Sequence, residues 1–523
     1  MKSFNHRKTV AFPSFPAYFF PACLSGFLLA LAFPPVNFYP VAFLGMVPLL
    51  ILLEKTDKKD RFFAGLFAGF CHYLALIHWF FTTMHTYGHL NSLVAISALI
   101  LMCLYFALYF AFFALVLGFF DFNCLSMPLV AGGVWVLFEY IKSSIFSGFP
   151  WGNMGYSQYL NLFFVQAADI TGVYGISFLI ILINALAALV VINLKKDRKK
   201  VLISVIAIIL VVTAVLSYGM IRIKTINRSI AGAPTRKIAV VQGNIRQDVK
   251  WDKNYVNETL NRYCFLSLKV SEKKPDLIAW PETALPFYYG ASRALSDKVD
   301  ACIRKAGTDF LIGSPALTLV DDRTEYYNRA YMFNRFSIET GKYDKVHLVP
   351  FGEYVPLGEY FSFLGKLTAQ SGDFTRGASG TAPLKFGNTR VGVLICFEII
   401  FPALSRDFVN KGADILLTIT NDAWFGRSSA PEQNFSTAVF RAVENRRSLA
   451  RAANTGISGF ISPVGKIYEK SDIFVEAGLV HDLPILSQKT FYTKFGDIFA
   501  IFCCIAVMGG FVVNRVHNAR QGN

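Results

Sequence analysis

The sequence is short of charged residues and of histidine. Charged side chains make up 16% of its 523 residues, whereas 54% of the residues are hydrophobic. This composition excludes an ordinary soluble protein and is typical of a polytopic membrane protein. Of the eight histidines, only His347 and His481 fall in the polar stretch of residues 224–490. That scarcity argues against a Ser-His-Asp triad and against a histidine-rich metal site.

The cysteines do not indicate a metal site either. All nine are scattered, and only Cys503 and Cys504 are close together, inside an apolar segment. Neither a zinc site nor a disulfide framework is therefore indicated. Cys264 and Cys302 could pair if their part of the chain is exported, but we expect them to stay unpaired. The sequence also lacks a Walker A motif and a Gly-x-Gly-x-x-Gly segment after a strand, so we predict no metal, nucleotide or other cofactor.

Long apolar runs are what the sequence has in abundance. About eight of them are long enough to span a membrane. They lie near residues 14–33, 37–53, 62–82, 91–118, 127–145, 172–193, 201–220 and 494–514. We therefore predict a membrane domain of seven helices in residues 1–223, a polar domain in residues 224–490, and an eighth helix with a short tail in residues 491–523.

Basic residues indicate how these spans are oriented. The net charge is +16, but Lys and Arg cluster beside the apolar runs, notably in residues 55–61 and 195–200, and so do not indicate a nucleic-acid partner. The loops near residues 34–37 and 83–90 carry neither Lys nor Arg. Because cytoplasmic loops are enriched in basic residues, we expect both termini in the cytoplasm and residues 224–490 outside it.

One predicted outer loop combines turn-forming residues with aromatic ones. It covers residues 147–158 and includes Trp151. We interpret it either as an aromatic anchor at the membrane surface or as a re-entrant segment that shapes a lipid-facing opening to the outer domain. Just before this loop, Glu139 and Lys142 lie three residues apart on a predicted helix, and we expect them to pair.

Residues 224–490 alternate between strand and helix patterns. We predict strands at 237–242, 277–280, 310–313, 330–334, 391–395 and 415–420, and helices at 255–270, 291–306 and 432–453. About 265 residues in this pattern predict one large α/β domain with an ample core.

Three strand-end segments of this domain carry reactive side chains. Glu282 follows a buried strand and a proline, Lys345 lies beside apolar residues, and Cys396 ends a strand. Pro402 favours a helix start soon after Cys396, and the first N–H groups of that helix would favour a thiolate. Each residue by itself has an ordinary interpretation: a solvated acid, a surface lysine and a small core cysteine.

Together the three residues supply the groups that thiol acyl transfer requires. The Glu282 carboxylate would take the proton of the Cys396 thiol, provided that a partly desolvated site raises its pKa. The Lys345 ammonium would stabilise the thiolate and the oxyanion of the tetrahedral intermediate. The attacking thiol would then become a thioester. We therefore predict an enzyme that transfers acyl groups.

The same segments resemble a known superfamily. The motifs that carry the resemblance are Trp280-Pro281-Glu282, Lys345-Val346-His347-Leu348 and Leu394-Ile395-Cys396-Phe397-Glu398. They resemble the Glu-Lys-Cys motifs of the nitrilase (carbon–nitrogen hydrolase) superfamily. With the predicted spans, the loop at 147–158 and the segments at 349–356 and 421–425, the whole chain resembles the bacterial apolipoprotein N-acyltransferase family. This resemblance implies a nitrilase-like α-β-β-α sandwich for residues 224–490.

The resemblance also implies a reaction. An acyl chain, typically the sn-1 chain of phosphatidylethanolamine, would pass from a membrane phospholipid to Cys396. It would then pass to the α-amino group of the diacylglyceryl-cysteine that begins an apolipoprotein, in a ping-pong mechanism that completes lipoprotein maturation. The implied location is the inner membrane, with the catalytic domain in the periplasm, and the implied state is a monomer.

The matched motifs imply roles for five site residues. Glu282 is implied as the general base, Lys345 as the cation that stabilises the oxyanion, and Cys396 as the nucleophile. Glu353 and Glu398 match further family acids that support the site.

Aromatic residues are the candidates for substrate contact: Trp151, Trp251, Phe397 and Trp424. Trp251 matches a family tryptophan near the acyl-chain opening. Phe397 stands where many relatives carry tyrosine, so any contact through that hydroxyl is lost. The loops at 361–367 and 423–425 are interpreted either as lids or membrane-dipping arms, or as ordinary packed loops.

Two other functions remain open from the sequence. A membrane-anchored nitrilase-type amidase that hydrolyses a small amide would use the same three residues and let water resolve the thioester. It leaves the spans and residues 147–158 unexplained. A transporter with an outer binding domain would need ionisable residues or broken helices within its spans. Spans four to seven are nearly free of charge apart from Glu139 and Lys142, which disfavours a transporter.

Overall fold

A computed structural model describes residues 15–320, 323–354, 374–378 and 380–521. Its amino-terminal part is helical. The helices before the first strand are α1 (Phe15–Leu31), α2 (Val47–Lys55), α3 (Lys58–Ile77), α4 (Trp79–Thr82), α5 (Ser92–Leu117), α6 (Met127–Ser144), α7 (Leu162–Val165), α8 (Ala168–Asn193) and α9 (Arg198–Ala231). Short 3₁₀ or π turns lie between them at Tyr39–Phe43, Thr83–Tyr87 and Met154–Gln158.

Helices lie where the apolar runs predict them, but they differ in length. Among the described residues, four are long and apolar enough to cross a membrane, namely α3, α5, α8 and α9. Shorter apolar helices cover Phe19–Leu31 and Ile498–Val512. Large apolar side chains such as Leu202, Ile209 and Leu210 are exposed on α9, as expected of a helix that faces lipid. The chain therefore has the character of a membrane protein, and the count of eight spans stays a prediction.

The polar part combines strands with further helices. Within the described ranges the strands are β1 (Thr235–Gln242), β2 (Leu277–Ala279), β3 (Asp309–Val320), β4 (Arg323–Phe333), β5 (Glu339–Asp344), β6 (Leu384–Phe386), β7 (Thr389–Ile395), β8 (Ile415–Thr420), β9 (Leu449–Ala453), β10 (Gly459–Ile461), β11 (Ile467–Lys470) and β12 (Ala477–Pro484). The helices are α10 (Val256–Ser271), α11 (Arg293–Ala306), α12 (Pro402–Asn410), α13 (Ala430–Asn445), α14 (Phe491–Phe495) and α15 (Ile498–Gln521).

These strands form two mixed six-stranded sheets, in the orders β12-β1-β2-β3-β4-β5 and β11-β10-β9-β8-β7-β6. Strands β1 to β3 are parallel to one another, and so are β7 to β9. One face of the first sheet, with Val240 and Leu311, shares an apolar core with Val393 of the second sheet. Its other face, with Ile278 and Phe310, packs on α10 and α11, because side chains alternate across a strand.

The parallel strands position the reactive side chains. Residues that follow the carboxyl ends of neighbouring parallel strands meet at the same edge of a sheet. Cys396 comes directly after β7 and Asn421 directly after β8, which are parallel neighbours in the second sheet, whereas Glu282 follows β2 of the first sheet. The N–H of Asn421 binds the Glu282 carboxylate at 2.8 Å, which joins the two strand ends across the sheets. The strands predicted at 277–280 and 391–395 are thus confirmed, with ends that agree within one or two residues.

The predicted helix at 432–453 is wrong in its second half. Helix α13 ends at Asn445, and Arg446 takes a left-handed φ of 51°. The chain then turns back into β9, which pairs with β8 and β10. All five residues of β9 are buried between these neighbours. Hydrogen bonds to distant strands therefore override the local helix pattern.

The preference for unpaired Cys264 and Cys302 is also wrong. Cys264 lies on α10 and Cys302 on α11, and the two helices pack side by side. Their Cα atoms are 5.7 Å apart, and the two cysteines form a disulfide. This spacing falls in the usual range for a disulfide.

Helix α13 fixes the sheets to the membrane helices. Arg446, at its end, donates to the Asp169 carboxylate of α8 at 2.7 Å. The Glu444 carboxylate accepts from the N–H of Val173 at 3.2 Å. That N–H is free to be donated outside the helix because Gly172, with a φ of 64°, interrupts α8 just before it.

Candidate active site

Glu282 is held in one orientation by three donors. Its Oε1 accepts from Asn328 Nδ2 at 2.7 Å and from Lys345 Nζ at 3.3 Å. Its Oε2 accepts from the backbone N–H of Asn421 at 2.8 Å. The residue is 5% exposed. A buried carboxylate with this many donors is fixed and stays ionised.

The charge state of Glu282 differs from the sequence expectation. Burial would raise the pKa of the carboxyl, as the sequence analysis supposed. However, the Lys345 ammonium and the hydrogen bonds from Asn328 and Asn421 outweigh burial and lower the pKa below its usual value of 4.5. The expected raised pKa is therefore wrong, and the carboxylate is already in the form that accepts a proton.

Lys345 lies between two carboxylates. It follows β5 directly and is 1% exposed. Its Nζ donates to Glu282 at 3.3 Å and to Glu353 Oε1 at 2.9 Å. Burial opposes the charged form, but Glu353 and Glu282 raise the pKa of Lys345 above its ordinary value. The ammonium is therefore a permanent positive charge at this edge of the sheets.

Glu353 stands at the end of the Pro-Phe-Gly turn, where Phe351 has a left-handed φ of 61°. Its Oε2 accepts from the backbone N–H of Val349 at 2.8 Å, which closes the turn. Its Oε1 accepts from both Lys345 and Asn328 Nδ2, the latter at 2.8 Å. The turn thus delivers a second carboxylate that orients Lys345.

Glu398 connects the segment of Lys345 to the segment of Cys396. Its carboxylate accepts from the backbone N–H groups of Val346 at 2.7 Å, His347 at 3.0 Å and Ile395 at 2.7 Å. The Tyr343 hydroxyl adds a fourth bond at 3.0 Å. Burial raises the pKa of this carboxyl to about 7, and the hydrogen bond from Ile395 opposes the rise. Glu398 thus fixes two backbone segments at once.

Cys396 occupies a strained turn after β7. Its φ is 54°, in the left-handed region, and it opens a 3₁₀ turn that covers Cys396–Ile400. Helix α12 begins only after this turn, at Pro402. The helix start expected at Pro402 and the sharp turn at the strand end are therefore confirmed, and a 3₁₀ turn separates the thiol from that helix. A side chain on such a turn is presented at the edge of the sheet.

The Cys396 thiol is neutral in the resting site. Burial and the Glu282 carboxylate raise its pKa, while the Lys345 ammonium and a hydrogen bond with Thr420 oppose this. A neutral thiol becomes an effective nucleophile when a base removes its proton during attack. Glu282 is ionised and close enough to raise the pKa of the thiol, so it has the properties of that base.

The two asparagines of the site were missed as site residues in the sequence. Asn328 lies on β4, where it bonds to both Glu282 and Glu353. Asn421 fixes Glu282 through its backbone and donates from Nδ2 to Gln247 Oε1 at 2.9 Å. A polar residue inside a buried strand, or directly after one, is the signal that could have pointed to them.

Two of the four aromatic candidates meet where the halves of the chain join. Phe397 is 6.3 Å from Phe149, and Phe149 is 6.1 Å from Trp151, measured between ring centroids. Trp151 is buried, and its indole N–H donates to Gln433 Oε1 on α13 at 2.8 Å. A continuous row of rings thus leads from the residue after Cys396 to the membrane helices.

The other two aromatic candidates lie on separate segments. Trp424 is part of the 3₁₀ turn Asp422–Phe425, and its carbonyl accepts from the Thr83 hydroxyl at 3.1 Å. The loop predicted at 423–425 is therefore packed against the membrane part. Trp251 lies in the chain segment that joins β1 to α10, next to Lys250, and its side chain is half-buried. The loop predicted at 361–367 lies outside the described residues.

Residues 147–158 are buried between the two parts of the chain. Met154, Tyr156 and other side chains of this loop are almost inaccessible, so it is not a simple surface anchor. The expected Glu139–Lys142 pair is not formed. Glu139 instead accepts from the N–H of Met154 at 2.6 Å, and Lys142 donates to the carbonyl of Trp151 at 3.1 Å. Both charged residues therefore hold this loop in place.

The site is built from protein groups suited to acid–base and nucleophilic chemistry. Within the part of the chain that the structure describes, no group of three or more His, Cys, Asp or Glu side chains could hold a metal ion.

Comparison with known proteins agrees with this construction. Residues 25–186 match the family model "Apolipoprotein N-acyltransferase N-terminal domain", and residues 237–484 match "Carbon-nitrogen hydrolase". The second match identifies the sheets as a nitrilase-like domain. A solved amidase from Nesterenkonia sp. aligns with 48% of this chain and 91% of its own at 20% identity and a TM-score of 0.37, a likeness too distant to inform the site.

Curated relatives extend over both parts of the chain. A protein from Geobacter metallireducens is 39% identical over 488 residues, which cover 93% of this chain and 92% of the relative. Relatives from Pasteurella multocida and Nitrosomonas europaea are 31% and 30% identical, and the alignments cover 95% and 94% of their lengths and 94% and 91% of this chain. All three bear the name apolipoprotein N-acyltransferase. This chain belongs to the apolipoprotein N-acyltransferase family.

Proposed function

We propose that the chain transfers an acyl chain from a phospholipid, through a thioester on Cys396, to the α-amino group of the diacylglyceryl-cysteine that begins an apolipoprotein. Membership of the family supports lipoprotein N-acylation. The observation that carries the proposal is that Lys345 donates to both Glu282 and Glu353 at the strand edge where Cys396 is presented. In this proposal Glu282 is the base, Lys345 the oxyanion-stabilising cation and Cys396 the nucleophile.

The first half-reaction forms the thioester. Cys396 Sγ attacks the ester carbonyl of the phospholipid, typically at the sn-1 position of phosphatidylethanolamine, while its proton passes to Glu282. Lys345 stabilises the negative charge that develops on the carbonyl oxygen. The carbon–oxygen bond to the glycerol then breaks, and the proton passes from Glu282 to the leaving oxygen. A lysophospholipid departs, and the acyl chain stays on sulfur.

The second half-reaction forms the amide. The neutral α-amine attacks the thioester carbonyl, and Lys345 again stabilises the oxyanion. The carbon–sulfur bond breaks, and the proton lost by nitrogen passes through Glu282 to the Cys396 sulfur. The thiol is thereby regenerated, no cofactor is consumed, and the two substrates use the same site in turn.

The aromatic row gives a reason why an amine, and not water, resolves the thioester. Phe397 follows the nucleophile directly and is 9% exposed, and its ring is 5.2 Å from that of Phe401. Apolar rings beside the sulfur exclude water from a bound thioester. Phe397 and Trp151 would contact the acyl chain, and Trp251 and Trp424 would line the approach. An amidase would need water at this position, and the family does not favour that alternative.

The membrane arrangement belongs to the same proposal. Residues 1–223 would form seven spans, residues 224–490 the catalytic domain as an α-β-β-α sandwich, and residues 491–523 the eighth span and tail. The domain would stand on the periplasmic side of the inner membrane, with both termini cytoplasmic and the protein monomeric. The Cys264–Cys302 disulfide supports that side, since disulfides persist in oxidising compartments.

A product analysis with matched variants tests the proposal. Full-length protein in detergent is given phosphatidylethanolamine and a diacylglyceryl-cysteine peptide, and lysophospholipid, free fatty acid and N-acyl peptide are quantified. Cys396→Ser, Glu282→Gln and Lys345→Ala should each lower N-acyl peptide at least about 100-fold. The exposed residues Cys124 and Lys342 supply the controls Cys124→Ser and Lys342→Ala, which should retain activity. Free fatty acid as the main product would show that water resolves the thioester, which would favour a hydrolase over an acyltransferase.

A further inference from the structure

A second lysine is buried beside the catalytic residues. Lys250 lies in the segment between β1 and α10, directly before Trp251, and is 2% exposed. Its Nζ donates to the Thr283 hydroxyl at 2.6 Å and approaches the backbone carbonyl of Glu282 at 3.4 Å. The side chain therefore extends from its own segment to the loop that carries the proposed base.

Lys250 has no carboxylate of its own. Among the described residues it forms no ion pair, whereas Lys345 has two. The ionisable groups that face it are Glu282 and Cys396, and its charge interacts with both. A buried cation without a separate counter-ion is costly unless nearby negative charge compensates it. Here the Glu282 carboxylate supplies that negative charge, and the proposed chemistry depends on the same carboxylate.

We propose that Lys250 is a positioning residue of the acyl transfer, which keeps Glu282 ionised and fixes the Trp251 segment against the loop of Glu282. The inference rests on the proposed function insofar as it assigns Glu282 the role of base. In this role Lys250 acts through Glu282.

The backbone around Glu282 supports this assignment. Thr283 has a left-handed φ of 47°, which is unfavourable for a β-branched residue and persists only where the surroundings hold it. The hydrogen bond from Lys250 to its hydroxyl is such a restraint. On the other side of the carboxylate, Gln247 of the same segment accepts from Asn421, whose N–H also binds Glu282. The segment is thus tied to both neighbours of the base.

The electrostatics act in the same direction. Burial lowers the pKa of Lys250 to about 7, and the negative charge of the nearby Glu282 carboxylate opposes that decrease. The Lys250 side chain is therefore protonated and positively charged below about pH 7, and it becomes neutral above that pH. Lys250 is also among the groups that lower the pKa of Glu282. Its removal should raise the pH at which Glu282 becomes protonated.

The test measures the reactivity of Cys396 without any lipid. Full-length protein reacts with 2,2′-dipyridyl disulfide, a thiol reagent that stays active in acid, and the labelled Cys396 peptide is quantified by mass spectrometry over a pH series. In the profile of labelling rate against pH, the rate should fall in acid as Glu282 becomes protonated. Lys250→Met should shift this acidic limb of the profile to higher pH, so that the rate at a given pH on the limb is about tenfold lower. Lys250→Arg, which keeps the charge, should restore most of the rate. Lys253→Met, at an exposed lysine of the same segment, should match the wild type.

An unshifted limb in folded Lys250→Met protein would overturn the inference, because a purely structural role would lower yield or stability but leave the limb in place. If Lys250→Met does not fold, Thr283→Val removes the hydrogen-bond acceptor, and a wild-type limb and rate in that variant would equally overturn it. The assay is independent of acyl transfer. A shifted limb in a protein that transfers no acyl chain would contradict the proposed function alone, and transfer with an unshifted limb would contradict this inference alone.

Discussion

The indole N–H of Trp151 donates to Oε1 of Gln433 at 2.8 Å, so a tryptophan of the membrane part is bonded directly to a helix of the catalytic part. The same oxygen accepts from Trp79 Nε1 at 3.1 Å. Gln433 Nε2 donates to the carbonyls of Pro34 at 3.2 Å and Leu76 at 3.0 Å. One buried amide therefore satisfies two indoles and two carbonyls that belong to separate membrane elements.

Gln433→Leu should weaken the contact between the membrane part and the catalytic part while leaving the proposed catalytic residues unchanged. It leaves buried donors and acceptors without partners, each at a cost of about 1–3 kcal/mol. We expect a lower temperature of unfolding in detergent and faster proteolysis between the parts. Thermal unfolding and limited proteolysis measure this, with Gln488→Leu at an exposed glutamine as the control. Unchanged stability in Gln433→Leu would show that the amide does not hold the interface.

Glu398→Gln should impair the site although it preserves size. The carboxylate accepts from three backbone N–H groups, and an amide nitrogen in its place opposes the N–H of Ile395 with another donor. We expect a loss of roughly 2 kcal/mol of stability and a marked decrease in thioester formation. Unfolding in denaturant and the yield of acylated Cys396 measure the two effects. Glu339→Gln, at an exposed glutamate, provides the comparison.

The rate of thioester formation should persist into acid. The base form of Glu282 is the charged form, and its pKa is lowered, so it stays available until the pH falls below the usual glutamate value of 4.5. We expect a rate that is nearly constant between about pH 5 and about pH 7 and falls only in stronger acid. Single-turnover acylation of Cys396 by phosphatidylethanolamine measures the profile. A half-maximal rate above about pH 6 would mean that another group, or a neutral Glu282, limits the step.

The disulfide should stabilise the catalytic part. It closes a loop between residues that are 38 apart in sequence, for which chain-entropy models give roughly 3–4 kcal/mol. The double variant Cys264→Ser and Cys302→Ser should therefore unfold at a lower temperature, and reductant should lower the wild-type temperature but not that of the variant. Cys124→Ser, at an exposed free cysteine, is the control. Equal stability with and without reductant would argue against a disulfide in the purified protein.

Local pattern was enough to predict where the proposed catalytic residues lie relative to the strands. Glu282 and Cys396 follow short apolar runs, and such runs become buried strands, here one in each sheet. Lys345 and Glu353 flank a segment with turn residues, and the structure joins their side chains. The chemistry of these side chains depends on residue type and strand ends, which sequence carries directly.

Contacts between distant residues account for what the sequence did not predict. In the sequence, Lys250 is typical of an exposed lysine in a polar segment, and its burial depends on Thr283 from another loop. Cys264 pairs with Cys302 because α10 packs on α11, which no spacing rule predicts. The pKa of Glu282 is lowered, where burial alone would raise it, because donors from three separate elements surround the carboxylate. Each of these features exists only once the chain is folded.

Intact mass spectrometry on the full-length protein distinguishes acyl transfer through Cys396 from hydrolysis. The protein is incubated in detergent with phosphatidylethanolamine, and a diacylglyceryl-cysteine peptide is then added. The proposed mechanism predicts one acyl-sized adduct on Cys396, which hydroxylamine removes and which Cys396→Ser does not form. Addition of the peptide should remove the adduct, and the peptide amine should gain the same mass. An adduct that disappears at the same rate without the peptide, or no adduct on folded protein, would contradict it.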